Sequence, residues 1–450
     1  MRVATLRLIT EHTCLSARNI ERAIFDEVNL SLSLLEVEHR LMWNQAVREI
    51  SSPRGATRLG EPLFKIMGYR RKGDVINLKA VDRILVIRLD DIGDMILSTP
   101  FLRELRQAIP QAKISLVVKP AVAELAAGCP FVDDLLVYDP GPLGYTPTLD
   151  RMRRTLRFAA QHLWSRRFDL AIVPRWDADL YHASHLAYWS GAAWRVGYSE
   201  HVVLHKRAMN SGFDSLYSHA LMDSSLKHEV DRGLDIIRFI GGNPKNDGLA
   251  LWEPQHEEQP LPTILRDLGI SHNTLLIAFG IGAASATRQW PQKHYVELGR
   301  WLTKEYDARI VIVGGPSDVE TGRTVAQSLG KDVINAVAIT TWPQLGTLFR
   351  SCNLYIGNDS GPMHVAAAAG VPVIEISCHP SNGNPYWSNS PLRFGPWGVP
   401  SQVLQPDTAV APCREYCASM DAHCIRRVDI ERVKDAVRMS VLNRHQHAVA

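Results

Sequence analysis

The sequence lacks any run of eighteen consecutive apolar residues, so it predicts no membrane-spanning helix. Its first residues contain a short apolar stretch but lack the full hydrophobic region and the cleavage site of a secretory signal, and we expect a non-secreted chain. Neither sign of charge is in excess: 50 Lys and Arg face 47 Asp and Glu, which argues against a dedicated nucleic-acid-binding protein. Cysteine is scarce, with seven in 450 residues, an odd number that suits a reducing cytoplasm better than a disulfide scaffold.

The composition that remains is that of a globular protein of two or three domains, with 46% hydrophobic and 22% charged residues. Residues 1–80 differ from the rest. Within them, Asn19–Ile50 has apolar residues at helical spacing, which favours a helix packed on the main body or one that binds a partner or a membrane surface. Glu253–Pro262 is polar and proline-rich, as in a linker. We therefore predict a helical N-terminal extension (1–80) followed by two α/β domains, 81–255 and 263–450.

Within the two domains, buried strands alternate with helices, a pattern typical of parallel sheets covered on both faces. The predicted strands are Arg83–Leu89, Lys113–Val118, Asp134–Tyr138, Leu170–Pro174, Thr274–Phe279, Arg309–Val313, Asn353–Gly357 and Val371–Ile376. The predicted helices are Thr99–Ala108, Val122–Ala127, Arg151–Arg166 and His294–Glu305. Because ligands of such sheets bind at the carboxyl ends of the strands, we expect a binding cleft between the domains.

The first segment with a chemical signature is Ile87–Pro100, where a buried strand runs into Asp90, Asp91, Gly93 and Asp94 before a helix. Gly93 would permit a tight turn with positive φ or the close approach of a ligand. A carboxylate at Asp94, facing the cleft, could accept a proton from an attacking hydroxyl group. With equal weight, Asp94 could serve only as the N-cap of the helix.

Two further segments predict anion binding in the second domain. Phe279–Pro291 is a loop of small residues to which Arg288 adds a fixed positive charge. Ile356–Gly370 contains a strand that ends at Asn358-Asp359, then a turn, then a helix with Pro362 in its first turn. The positive N-terminus of that helix would point at the cleft, as in a diphosphate-binding site; an ordinary capped helix is the alternative.

These three segments, in this order, resemble glycosyltransferase family 9, the ADP-heptose:lipopolysaccharide heptosyltransferases. Asp90–Pro100 matches the family's GDxxxxTP element, Thr287–Pro291 its KRWP-like element and Asn358–His364 its NDTGxxH element. The sequence departs from the family in having Arg288-Gln289 where Lys-Arg is usual and Ser360 where Thr is common. The 80-residue extension is not part of the family core.

The resemblance implies a GT-B fold: two Rossmann-like domains with a cleft between them, the acceptor on the N-terminal domain and the donor nucleotide on the C-terminal one. It implies an inverting, metal-independent transfer of a sugar, by default heptose from ADP-heptose, to a lipopolysaccharide core or related surface glycan, without a cofactor or nucleic-acid partner. The enzyme would be cytoplasmic, at the inner face of the cytoplasmic membrane. Asp94 would be the catalytic base. The donor-binding residues would be Ser285, Thr287, Arg288, Gly315, Glu320, Asp359, Ser360, Gly361 and His364, and the acceptor-binding residues Asp91, Gly93 and Arg195.

Some features leave alternatives open. Cys413, Cys417 and Cys424, with His423 beside them, could form a metal site, although the spacing differs from two Cys-x2-Cys pairs, or a disulfide; the site assignment above includes no metal. The aromatic segment Tyr181–Trp194 could line an acceptor pocket.

Two segments of the sequence are strongly basic. Residues 151–167 and 70–72 are rich in Arg and Lys, which suits a phosphorylated glycolipid or an anionic membrane, or equally a solvated helix face. His379–Trp397 is expected to be a long loop at the cleft mouth. Two other functions compete: a nucleotide-sugar epimerase or hydrolase of the same fold, and a non-catalytic nucleotide-sugar-binding subunit.

Overall fold

The computed structural model describes residues 53–66, 75–142, 148–252, 274–330, 333–414, 419 and 421–447. The chain divides into two compact units, residues 1–59 and 60–450, and both sheets of the molecule lie in the second unit. Four predicted features lie outside the described residues: the helix Asn19–Ile50, the basic cluster 70–72, the linker Glu253–Pro262 and Cys417.

The first sheet consists of six parallel strands in the spatial order β3-β2-β1-β4-β5-β6. Its central strands are buried along almost their whole length because helices cover both faces. The strand order reverses between β1 and β4, so the loops that follow these two strands diverge and leave a crevice. The strands are β1 (Arg83–Arg88), β2 (Lys113–Val118), β3 (Asp134–Val137), β4 (Leu170–Val173), β5 (Trp194–Tyr198) and β6 (His219–Leu221).

The second sheet repeats this topology, with six parallel strands in the order β12-β11-β10-β7-β8-β9. Its order reverses between β7 and β10, which places a second crevice at the carboxyl ends of those strands. The strands are β7 (Leu276–Gly280), β8 (Arg309–Val313), β9 (Val333–Asn335), β10 (Leu354–Asn358), β11 (Val373–Ile376) and β12 (Ser401–Leu404).

Helices connect the strands and cover the sheets. Each of the two helices that enter a crevice begins directly after a central strand, α2 after β1 and α12 after β10. The helices are α1 (Pro53–Ile66), α2 (Ile92–Leu97), α3 (Thr99–Ala108), α4 (Pro120–Ala126), α5 (Thr148–Phe158), α6 (Ala183–Trp189), α7 (Leu204–Met209), α8 (Glu229–Phe239), α9 (Gln292–Tyr306), α10 (Val319–Leu329), α11 (Trp342–Arg350), α12 (Gly361–Ala368), α13 (Pro391–Phe394) and α14 (Ile430–His447).

The predicted α/β class with two parallel sheets is confirmed, and the long apolar elements were placed well. Thr99–Ala108, Lys113–Val118 and Arg309–Val313 have the predicted bounds. The predicted helical stretch Arg151–Arg166 is confirmed, although its type changes along the chain: α5 ends at Phe158, and a π-helical turn, Ala159–Leu163, and a 3₁₀ turn, Trp164–Arg166, continue it. The strands β5, β6, β9 and β12 were not predicted. They are short, and their polar residues or glycine hide the apolar signal.

One apolar core runs through both sheets. It joins Ile84 and Ile114 of the first sheet to Leu276 and Val373 of the second, by way of Met363 on α12. Continuous packing of this kind holds the carboxyl ends of the two sheets opposite each other. Among the described residues, no helix combines the length and the apolar character needed to cross a membrane.

Candidate functional site

The candidate site is a cavity of about 280 Å³ between the two crevices. Loops from the carboxyl ends of β1 and β4 form one wall, and loops from the second sheet form the other. On the first side it is lined by Arg88, Asp90, Asp91, Gly93, Asp94, Arg175, Asp177, Leu180, Tyr181 and Glu229. On the second side it is lined by Ala284, Arg288, Asp359, Ser360, Gly361, His364, Ser388, Arg393 and Phe394.

Asp94 lies in the first turn of α2, with its side chain about one-fifth exposed toward the cavity. One carboxylate oxygen accepts a hydrogen bond from the backbone N–H of Asp91 (3.2 Å), and the other accepts from Nη2 of Arg88 (3.2 Å). Burial raises the pKa of Asp94, partly offset by the Arg88 charge. The N-cap residue is Asp91 rather than Asp94, so Asp94 supports the helix end and also presents a carboxylate to the cavity.

A buried arginine orients this carboxylate. Arg88, the last residue of β1, contacts Asp90 (Nε to Oδ2, 3.1 Å) and Asp94, and donates from Nη1 to the carbonyl oxygen of Pro174 (3.2 Å). Asp90 is itself buried and also pairs with Arg175. A charge out of water needs such partners, because its desolvation is otherwise uncompensated. Sequence reasoning missed Arg88 and Arg175, since an arginine at a strand end gives no sign of its partners.

Position 93 requires glycine because of a contact between the two domains. A Cβ atom on Gly93 would lie 2.5 Å from Cδ2 and 2.9 Å from Nε2 of His364, which projects from α12 of the other domain. The backbone of Gly93 is helical, so the predicted positive φ is wrong. The group that approaches Gly93 closely is the His364 side chain of the protein itself. Burial lowers the pKa of His364 to about 3, helped by the charges of His228 and Arg288, so its ring is neutral near pH 7.

We expect Gly93→Ala to lower the free energy of unfolding by about 1–3 kcal/mol, the usual effect of an atom forced into a packed contact. The double variant Gly93→Ala/His364→Ala lacks the obstructing ring and should recover most of the stability that Gly93→Ala loses. Urea denaturation of the two variants and of His364→Ala measures the coupling. If the two substitutions proved additive, the contact between Gly93 and His364 would have no energetic role.

On the second side, Asn358 fixes the end of β10. Its Oδ1 accepts hydrogen bonds from the N–H of Trp290 (3.0 Å) and the hydroxyl of Tyr295 (3.1 Å), and its Nδ2 donates to the carbonyl oxygen of Ile281 (2.9 Å). The loops after β7 and β10 are therefore tied together. Since Arg288 lies in the first of these loops, Asn358 also holds its backbone in place.

Beyond Asn358 the chain presents charge and a helix end to the cavity. Arg288 Nη1 lies 3.3 Å from Oδ2 of Asp359. Burial raises the pKa of Asp359, and the positive charge of Arg288 partly opposes that rise. Ser360 is the N-cap of α12, and Ser360 and Gly361 both line the cavity. A guanidinium beside a helix N-terminus is an arrangement that binds phosphate groups. This is the arrangement predicted for Ile356–Gly370.

Arg393 on α13 joins the two domains. It is fully buried and donates to Oε1 of Glu229 (3.0 and 2.7 Å), to Oδ2 of Asp177 (3.0 Å) and to the carbonyl oxygen of Tyr386 (2.7 Å). The segment His379–Trp397, predicted as a long loop at the cleft mouth, thus contains a short helix, α13, whose buried Arg393 links the two domains. Glu229 also faces Arg232 (3.4 Å), so two guanidinium groups share one carboxylate.

Five predicted site residues do not line this cavity. Arg195 is buried, donates to the carbonyl oxygens of Leu216 and Ala192 (both 2.8 Å), and therefore supports the backbone; we do not retain it for acceptor binding. Of the other four, Ser285 caps the turn that carries Arg288, and Thr287 lines a neighbouring small cavity. Gly315 donates its N–H to Asp318. Glu320 pairs with Arg323 on an exposed helix face.

The aromatic segment Tyr181–Trp194 divides between the core and the cavity. Tyr188, Trp189 and Trp194 are buried, whereas Tyr181 lines the cavity. Lys119, which sequence reasoning missed, lies over the Tyr181 ring (4.5 Å) and pairs with Asp91 (2.6 Å).

Two Rossmann-like domains that face each other across a cleft are the GT-B fold, here with a carboxylate on one side of the cleft and a helix N-terminus beside a guanidinium group on the other. The sequence profile of glycosyltransferase family 9 (heptosyltransferase) matches residues 156–423, more than half of the chain. The chain therefore belongs to glycosyltransferase family 9, and it is a glycosyltransferase.

Relatives with known names or structures agree. Lipopolysaccharide heptosyltransferase 2 of Escherichia coli (strain K12) is 27% identical over 65% of this chain and 82% of its own. A glycosyl transferase family 9 structure from Veillonella parvula has a TM-score of 0.64 and 23% identity over 80% of this chain and 98% of its own. The structure of E. coli ADP-heptose lps heptosyltransferase II has a TM-score of 0.57 and 21% identity over 81% and 99%. At these identities the two structures establish the fold.

Proposed function

We propose that the protein is an inverting glycosyltransferase that transfers heptose from ADP-heptose to a sugar of the lipopolysaccharide core. The names of its relatives support this donor and this acceptor. We assign the acceptor to residues 81–255 and the donor nucleotide to residues 263–450. The observation that carries the proposal is that Asp94 shares one cavity with Arg288 and the N-terminus of α12.

In the proposed reaction, an acceptor hydroxyl group attacks the anomeric carbon of the donor from the face opposite the diphosphate. Asp94 takes the hydroxyl proton as the new oxygen–carbon bond forms. The bond from the anomeric carbon to the diphosphate breaks, and the electron pair goes to the leaving diphosphate. Arg288 and the N-terminus of α12, where Ser360 is the N-cap residue, stabilise that negative charge. These groups supply the positive potential that a metal ion would otherwise provide.

The acceptor would enter from the first domain. A second cavity of about 600 Å³ adjoins the site, since both are lined by Asp177 and Ser388. His201, His205 and Trp387 also line it, and their ring faces suit sugars. Because the proposed acceptor is a membrane glycolipid, we place the reaction at the inner face of the cytoplasmic membrane.

We expect ADP, but not UDP, GDP or CMP, to stabilise the protein, by about 2.7 kcal/mol at 100 times its dissociation constant. Arg288→Gln should weaken ADP binding roughly 10- to 100-fold, because a hydrogen bond to a charged group contributes about 1.5–3 kcal/mol. Thermal shift and calorimetric titration measure both effects. Arg323→Gln, which changes an exposed arginine paired with Glu320, is the matched control and should bind ADP normally.

Selective stabilisation by another nucleotide would exclude ADP-heptose as the donor and leave the fold and mechanism intact. The transfer itself is tested with ADP-heptose and a heptose-deficient lipopolysaccharide core, with mass spectrometry of the product and NMR of its new anomeric centre. Heptose released without an acceptor would indicate a hydrolase, and retained configuration would contradict the single displacement.

A further inference from the structure

The segment between β12 and α14 has little regular structure to hold it. From the end of β12 at Leu404 to the start of α14 at Ile430, its described residues contain a single 3₁₀ turn, Ile425–Arg427. A connection this long in a compact domain is uncommon unless it has a function of its own or is disordered. Two of its cysteines, Cys413 and Cys424, are nevertheless almost completely buried.

The thiols of Cys413 and Cys424 converge with the imidazole of His423. One ligand atom from each residue lies within 4.8 Å of the other two. Nε2 of His423 lies 3.6 Å from Sγ of Cys424. In a tetrahedral zinc site, a Zn–S bond of about 2.3 Å and a Zn–N bond of about 2.0–2.1 Å also place sulfur and nitrogen about 3.6 Å apart. His423 and Cys424 therefore already have the separation that a shared ion would impose, and the ligand atom of Cys413 lies within 4.8 Å of both.

A small cavity lies against this cluster. It has a volume of about 20 Å³, room for one water-sized sphere, and Cys413, His423 and Cys424 are among its lining residues. The backbone N–H of Val410 donates to Sγ of Cys424 (3.3 Å), which fixes the position of that sulfur atom. His423 Nε2 also lies 3.1 Å from the carbonyl oxygen of Val410, a hydrogen bond that a metal bond would replace.

We propose that Cys413, His423 and Cys424 bind one Zn²⁺ ion that holds the segment before α14 in place. Two thiolates and one imidazole are borderline-soft ligands that suit zinc, and the two thiolates neutralise its charge. The ion is structural and takes no part in sugar transfer, so the site does not rest on the proposed function. Thr287 and His379 line the same cavity, so the ion would also brace the turn that carries Arg288.

The test is the metal content of the full-length protein purified without chelators. Inductively coupled plasma mass spectrometry should find about one zinc ion per chain. His423→Ala and Cys424→Ser should each lower that content at least roughly tenfold, since even outer-shell partners of a metal commonly affect affinity 10- to 100-fold. His423→Cys keeps three ligands and should retain the ion, which a purely packing role of His423 would not explain.

Cys352→Ser is the matched control, because Cys352 is equally buried but lies after α11, away from the cluster, and its zinc content should not change. Should the variants fail to fold, chelation of the wild-type protein followed by Co²⁺ addition gives a second measurement: a tetrahedral site with thiolate ligands yields intense visible absorption. A wild-type chain free of metal, one carrying iron in place of zinc, or a Cys413–Cys424 disulfide seen in peptide mapping would overturn the proposal.

Discussion

Asp94→Asn is expected to lower kcat by about 100- to 10,000-fold, the range that a positioned general base contributes. Asn has the shape of Asp and can still accept the hydrogen bond from the N–H of Asp91, so the first turn of α2 should persist. KM for the donor should change little, because the donor is proposed to contact the other side of the cavity. Steady-state kinetics with saturating acceptor and a melting curve of each protein measure the effect.

Asp435→Asn is the control, since Asp435 pairs with Arg438 on the exposed side of α14. The pH profile gives an independent check. Activity needs the ionised carboxylate, and burial raises the pKa of Asp94 above its usual value of 3.8, so kcat/KM should fall as the pH drops through that raised pKa. Unchanged turnover in Asp94→Asn would exclude Asp94 as the base and leave its role at the helix end.

Arg393→Ala is expected to lower the free energy of unfolding by about 3–5 kcal/mol, the usual effect of removing one partner from a buried ion cluster. Glu229 and Asp177 would keep their charges in a buried place without the guanidinium that joins them to the second domain. Denaturation by guanidinium chloride, followed by far-ultraviolet circular dichroism, measures the loss.

Arg323→Ala provides the comparison, because Arg323 and Glu320 form an exposed pair, which typically contributes 0–1 kcal/mol. The double variant Arg393→Ala/Glu229→Gln also removes the buried carboxylate that has lost its Arg393 partner, and it should recover part of the stability. If Arg393→Ala were no more destabilising than Arg323→Ala, the ion cluster would not contribute to the joining of the domains.

Local patterns predicted the fold well because the strands and helices of the two domains have strong apolar periodicity. The buried run of β1 and the helix Thr99–Ala108 need no distant information. Strands such as β6, three residues long, form because a neighbouring strand is already in place to pair with. Their sequences alone do not distinguish them from loops.

The site was predictable where its residues follow a central strand, as with Asp94 and Ser360. It was not predictable where the partner is far away in the sequence. Arg393 bonds to Glu229, 164 positions earlier, and nothing in the loop around it indicates a buried charge. For Gly93 the sequence predicts a positive φ or the close approach of a ligand, whereas the side chain that requires glycine there is that of His364. Such constraints arise only when two domains are packed together.

The packing around Trp176 has a spectroscopic consequence. Its fully buried indole lies close to two guanidinium groups, with ring-centroid distances of 3.7 Å to Arg232 of the same domain and 4.8 Å to Arg393 of the other domain. The emission energy of an indole depends on the electric field across its ring. If the domains separate, one of the two charges withdraws, so the fluorescence of Trp176, isolated as the difference between wild type and Trp176→Phe, reports cleft opening without an added dye.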